Sequence, residues 1–133
     1  MIEIKLLIVV ILFRNIILLM QEANWGDKIQ MGDLTLNNRV IMAALTRERC
    51  DPNLCVPTDL LVEYYSQRAA AGFILTEATA WSLKGRGFVG AACLYNKEQM
   101  EGWKKVNEAV HAKGGKIFVQ LMHCGRVSHP DKM

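Results

Sequence analysis

At 133 residues the chain has the length of one modest domain, too short for a complete (β/α)8 barrel, which needs roughly 200 residues or more. A composition of 51% hydrophobic and 22% charged residues excludes intrinsic disorder. Sixteen Lys and Arg against thirteen Asp and Glu leave a formal charge of +3, too small and too scattered for the basic face that nucleic acid requires.

The amino end carries Lys5 and then an unbroken apolar run, Leu6 to Phe13, of eight residues against about 20 for a membrane span. This resembles the start of a signal peptide, yet Arg14 and Asn15 interrupt it and no small-x-small cleavage site follows closely. Three readings stay open: a non-native extension with Met20 as the natural start, a targeting segment, or a poor anchor over Leu6–Met20. The chain therefore divides into an apolar extension, residues 1–19, and a folded part, residues 20–133. A cytoplasmic location is expected, with secretory or membrane association as the alternative that residues 1–20 would impose.

Turn chemistry around Asp33 and Asn37-Asn38 predicts a small hairpin of Ile29–Met31 and Leu34–Leu36. Val40–Ala44 is a short continuous apolar run of the buried-strand type. A loop containing Arg47, Arg49, Asp51, Pro52, Asn53 and Pro57 leads to an amphipathic helix over Thr58–Ala71. Thr58 and Asp59 suit its start, and Gly72 suits a left-handed residue beyond its end. Leu60, Leu61, Tyr64, Tyr65 and Arg68 share its apolar stripe, so the Arg68 charge needs an outlet: a snorkelling stem or a pair with Glu77. Phe73–Ala78 is the next strand, followed by a glycine-containing loop, Thr79 to Tyr95. Asn96 and Gln99 then open a second helix like a capping box, with Trp103, Val106 and Val110 inward beside Gly102 and Ala109. Gly114-Gly115 stops it, and Lys116–Met122 is the last strand. Strands alternating with helices imply parallel pairing through right-handed crossovers.

Cys50, Cys55, Cys93 and Cys124 form no Cys-x-x-Cys pair, and His111, His123 and His129 add no zinc-ligand spacing. No metal is expected, and four reduced thiols are. After Val40–Ala44 comes Leu-Thr-Arg-Glu-Arg without a glycine, which disfavours a Rossmann dinucleotide site. In β/α units chemistry collects at the carboxyl ends of strands. Here those ends carry Ala44-Leu45-Thr46-Arg47, Thr76-Glu77-Ala78-Thr79 and Gln120-Leu121-Met122-His123. They hold no Ser/His/Asp set and no carboxylate pair, and Cys124 beside His123 is a weak nucleophile candidate. Neutral hydrogen-bonding groups among small side chains suit a planar, polar-edged ligand better than acid–base hydrolysis. The plainer alternatives are a Thr46 hydroxyl bonded to local backbone and a Gln120 amide facing solvent.

Met42-Ala-Ala-Leu-Thr-Arg47, Glu63-Tyr-Tyr-Ser-Gln-Arg-Ala69 and Thr76-Glu-Ala-Thr79 resemble, in order and spacing, segments of the old yellow enzyme family. So do Gly102-Trp103, Ala109-Val-His111, Gly114-Gly115 and Val119-Gln-Leu-Met-His-Cys-Gly-Arg126, the whole covering about Met31 to His129. The resemblance implies an FMN-dependent oxidoreductase on a (β/α)8 barrel closed below by a hairpin. Of that barrel the chain would be the amino-terminal portion, ending after the third strand. It implies hydride transfer from NADPH or NADH through FMN to an activated alkene, the small-molecule partner. It also implies flavin contacts from Ala43, Ala44, Leu45, Thr46, Ala78 and Gln120, with Thr46 bonding the flavin C4 carbonyl oxygen and tuning its reactivity. Phe88 and Met122 would face the substrate. Ala44 departs from the usual proline, Ala92-Cys93 from a common Pro-Gly, and Met122 from a frequent tryptophan. The family's histidine–asparagine or histidine–histidine pair that orients the substrate, its proton-donating tyrosine and its phosphate-binding groups fall beyond the third strand, and His129 follows too soon to replace any of them. Hence the alternative expectation is a non-catalytic truncated paralogue, or an interaction or membrane-tethered fragment without flavin.

Overall fold

A computed structural model describes residues 24–130. The readings attached to residues 1–20 lie outside the described residues, among which no helix is long and apolar enough to cross a membrane.

The predicted hairpin forms with the expected bounds: β1 (Ile29–Met31) pairs antiparallel with β2 (Leu34–Leu36), Ile29 opposite Leu36. Gly32 turns the corner at φ 57°, a left-handed conformation that glycine adopts without steric cost. The main sheet has three parallel strands in the order β3–β4–β5, comprising β3 (Ile41–Met42), β4 (Phe73–Ala80) and β5 (Ile117–Met122). Strand β3 is shorter than the predicted Val40–Ala44, because only Ile41 and Met42 pair, with Phe73 and Ile74, before the chain bends away. Strand β4 runs two residues further than Ala78, its extension pairing Thr79 with Leu121 and Ala80 with Met122.

Helix α1 (Asp59–Ser66) is shorter than the predicted Thr58–Ala71. Beyond Ser66 the amides of Arg68, Ala69 and Ala71 reach carbonyls only three residues back, at 3.0, 3.4 and 3.0 Å, so the last turns tighten out of α geometry. Thr58 occupies the N-cap position as expected, yet its hydroxyl donates to the Arg49 carbonyl at 2.6 Å rather than capping the helix. The inward row is Leu61, Tyr65 and Ala69, and Leu60, predicted on that stripe, lies one step round the helix and stays 63% exposed.

Helix α2 (Lys97–His111) begins as the sequence predicts: the Asn96 side chain accepts from the Gln99 amide at 2.9 Å. The Gln99 carboxamide serves other partners than a capping box would. It accepts from the Tyr95 amide at 2.9 Å and donates to the Leu54 carbonyl at 3.0 Å, tying the helix start to the loop after β3. Gly102, Trp103, Val106 and Val110 are buried on the inner face, and Gly114 ends the element at φ 74°. The core is Leu61, Tyr65, Ile74, Trp103, Val106 and Val110, with the Tyr65 and Trp103 rings 6.0 Å apart. Aromatic burial of this kind dominates core energetics.

Gly72 is required for a reason other than the one predicted. It is not left-handed; its backbone runs against β3, its amide donating to the Val40 carbonyl at 2.8 Å. A Cβ there would stand 2.3 Å from the Asn38 carbonyl oxygen, which is backbone and cannot swing aside. Gly72→Ala is therefore expected to destabilise the fold by about 1–3 kcal/mol, read as a lower urea midpoint at unchanged slope.

Candidate functional site

The register of β4 organises the strand ends. Leu75 pairs with Phe118 but Ala78 pairs with Gln120, so β4 carries one extra residue across Thr76-Glu77. Side chains alternate along a strand, and without the bulge Glu77 would share the face of Leu75. The extra residue turns Glu77 toward the helices and brings Ala78 onto the Gln120 side. Threonines hold the irregular backbone: the Thr76 hydroxyl accepts from the Gln120 amide at 3.0 Å, and the Thr76 and Thr79 hydroxyls donate to the Glu77 carbonyl at 3.0 and 2.9 Å.

Glu77 is fully buried. Its Oε2 accepts from the Arg47 amide at 3.0 Å, its Oε1 faces the Tyr65 hydroxyl at 3.4 Å, and that hydroxyl oxygen accepts from the Glu77 amide at 2.8 Å. Burial pushes the carboxyl above its ordinary range, while the amides of Arg47 and Glu48, the Tyr65 hydroxyl and the Arg47 charge pull it back. Burial likewise raises the Tyr65 phenol. Arg68 is not the partner of this carboxylate. Its guanidinium stacks 3.9 Å from the Tyr64 ring centre and donates to the Tyr64 carbonyl at 2.7 Å. It borders a depression with Asn38, Val40 and Ala71 at the amino ends of the strands, whereas Glu77 sits near the carboxyl ends. The Arg47 guanidinium also lies over Tyr64, at 5.0 Å.

These bonds draw the three strand ends together. Thr46 adjoins the amide that Glu77 holds, Ala78 follows Glu77, and Gln120 pairs with Ala78. Ala43, Leu45 and Thr46 are exposed, and Ala44, Ala78, Gln120 and Met122 are half-buried. Phe88, from the loop after β4, is exposed.

A profile of the NADH:flavin oxidoreductase / NADH oxidase family matches residues 27–133. The chain belongs to this family. It is 48% identical over 110 residues to 12-oxophytodienoate reductase 7 of Oryza sativa subsp. japonica, covering 82% of this chain and 27% of that protein. It is 44% identical over 103 residues to a probable flavin mononucleotide-dependent alkene reductase of Leishmania infantum, covering 77% and 28%. Among solved structures, morphinone reductase superposes with TM-score 0.78 at 50% identity, over 82% of this chain and 29% of that one. The old yellow enzyme from Trypanosoma cruzi superposes with TM-score 0.78 at 41% identity, over 81% and 29%. The described residues are thus an amino-terminal part of an old yellow enzyme (β/α)8 barrel, and the chain spans under a third of the length of these relatives. The family is one of FMN-dependent NADH or NADPH oxidoreductases.

Sequence reasoning missed the parts of this old yellow enzyme segment that position the site rather than face it. Tyr65 reads as an apolar-stripe residue within a matching motif, and Thr76 as one of a strand-end set, without the bonds that each makes around Glu77. A glutamate in an otherwise apolar strand, with a tyrosine on the preceding helix, was the available signal. Because the folded-state value of Glu77 is raised above 4.5, its contribution to stability is fully present below that pH and is lost as pH rises through the raised value. Urea unfolding between pH 4 and 8 is expected to show this decline in the native protein and a flatter profile in Glu77→Gln. An equal decline in both would assign the slope to another group.

Proposed function

We propose that this chain supplies the first three strands of an FMN-dependent ene-reductase site, with Thr46 and Gln120 meeting polar edges of the flavin ring. The observation that carries this reading is the junction of Thr46, Ala78 and Gln120 through the Glu77–Arg47 bond and the bulged register. The donor set fits an isoalloxazine. A hydroxyl and a carboxamide, the latter both donor and acceptor, flank small alanines, and neither local charge is free for the ring. Arg47 lies over Tyr64, and Glu77 is turned into the helix layer.

FMN supplies the redox chemistry there, as carrier of hydride from NADPH or NADH to the β-carbon of an activated alkene. The Thr46 hydroxyl would serve as a donor to the flavin C4 carbonyl oxygen, where such a donor favours the electron-rich state. Gln120 orients the pyrimidine edge, and Ala43, Ala44, Leu45 and Ala78 leave room for the ring. Phe88 and Met122 border the substrate space, Met122 with the Cys124 thiol 3.2 Å from its sulfur. The match to under a third of the relatives' length supports reading the chain as a portion of the catalytic unit, with the remaining contacts coming from further strands.

In the flavin-loaded protein, Thr46→Ala is expected to move the two-electron potential roughly 30–60 mV more negative, the equivalent of one lost hydrogen bond to a charged acceptor. Its flavin absorption bands should shift as well. The 133-residue chain alone is expected to retain no stoichiometric flavin through gel filtration and to leave NADPH unoxidised with an enone. A yellow preparation of that chain that turns over NADPH would overturn the division of the site between this portion and later strands.

A further inference from the structure

A second set of reactive side chains lies among the described residues, beside Ala80 at the carboxyl end of β4. Cys55, in the loop after β3, and Cys93, in the loop after β4, are buried at 1% and 0% exposure and pack with Ala80 in a small cluster of their own. The Cys93 amide donates to the Cys55 carbonyl at 3.3 Å, and both side chains pack against Ala80. That contact sets the residues side by side, as a disulfide requires, its Cα atoms standing roughly 4.4–6.8 Å apart.

Arg86 completes the cluster. It is 3% exposed, and its Nη1 donates to the Cys55 sulfur at 2.9 Å. Its Nε donates to the Phe88 carbonyl at 3.2 Å and its Nη2 to the Pro52 carbonyl at 3.1 Å. A buried guanidinium normally faces a carboxylate, because an unmatched charge is costly in the interior. Here, among the described residues, it faces two carbonyls and a sulfur. Negative charge that develops on that sulfur meets a fixed, forked cation.

We propose that Cys55 and Cys93 are a redox-active dithiol, which a peroxide oxidises to a disulfide joining the loop after β3 to the loop after β4. The Cys55 sulfur attacks one peroxide oxygen and the O–O bond breaks. Cys55 is left as S–OH, and the other oxygen departs as water with the thiol proton. The Cys93 sulfur then attacks the Cys55 sulfur, the S–O bond breaks, and the hydroxyl leaves as a second water with the Cys93 proton. Two thiols lose two electrons in all, and both peroxide oxygens are reduced to water.

Cys55, with the guanidinium beside it, is the attacking group. Cys93, held protonated by burial and by the neighbouring Cys55, its thiol pushed up to about 12, is the resolving one. Cys50 is the competitor: it is buried near both, its thiol raised by burial first and by Glu77 next, with no recorded bond to Cys55. The dithiol stands on this geometry whether or not the flavin reading holds. If both hold, oxidation couples the segment that begins at Thr46 to the loop that carries Phe88.

The test is peptide mapping of the reduced protein after exposure to hydrogen peroxide, with free thiols blocked by N-ethylmaleimide before a non-reducing digest. Peroxide is small enough to reach these thiols through local opening. A dithiothreitol-sensitive peptide pair joining Cys55 to Cys93, two hydrogens lighter than its parts, is expected. Cys55→Ser and Cys93→Ser, each checked for folding by circular dichroism, should lose it, and Arg86→Gln should slow its formation about tenfold. The native map decides the pairing if a variant fails to fold. A Cys50–Cys55 link, Cys55 oxidised without a cross-link, both thiols still free once Cys124 is oxidised, or an unslowed Arg86→Gln would each overturn the proposal.

Discussion

The arrangement of the strand ends depends on one buried carboxylate. Glu77 leaves β4 toward the helix layer, meets the Tyr65 hydroxyl and accepts from the amide of Arg47. Helix α1, strand β4 and the segment after β3 are thereby fixed through a single side chain. Such a contact carries a desolvation cost, evident in the raised affinity of Glu77 for its proton, and backbone amides with a phenol offset part of it. Two of the groups that meet the carboxylate are main chain or buried aromatic, so little side-chain entropy is spent in aiming them. What results is a turn at Thr46 tied to the helix layer chiefly by hydrogen bonds.

The Arg47 and Arg68 side chains illustrate the contrast. Both lie over the ring of Tyr64, which is half-buried against the core, an arrangement that places their charge on an aromatic face. The carboxylate takes its hydrogen bond from the Arg47 amide, with the Arg47 charge adding to its stabilisation, and the Arg68 guanidinium bonds elsewhere. Charge is thus kept off the surface that the small residues Ala43, Ala44 and Ala78 present.

Much of this architecture was legible in the chain itself. The hairpin bounds, the parallel strand order, the Asn96 start of α2 and its inner face of Trp103, Val106 and Val110 follow from turn chemistry and periodicity, which local sequence encodes. The family also followed, because its motifs recur in order. What escaped were effects decided by neighbours distant in sequence. Helix α1 ends early because its last amides find carbonyls three residues back, and Leu60 is exposed because packing selects the Leu61–Tyr65–Ala69 row. Gly72 read as a helix terminator, yet the carbonyl that demands it belongs to Asn38, more than thirty residues earlier. Of the two outlets the sequence offered Arg68, a snorkelling stem or a pair with Glu77, the pair does not form, since Arg68 lies at the amino ends of the strands and Glu77 near their carboxyl ends. Of the strand-end residues, the sequence could nominate Thr46 and Gln120 by type, but not the bulge that brings their strands into register.

That bulge gives β4 an intolerance of its own. A loop such as the one after β4 can gain or lose a residue at modest cost, since its length carries little information. In β4 a one-codon deletion of Thr76 would remove the extra residue and with it the hydroxyl that bonds the Gln120 amide and the Glu77 carbonyl, leaving Leu75 directly before Glu77 in plain alternation. Glu77 and Ala78 would keep their sides, but the bonds that hold the bulged backbone would be gone. The extra residue thus contributes its hydroxyl rather than the parity of the faces, and a deletion set beside a substitution at Thr76 would separate the two.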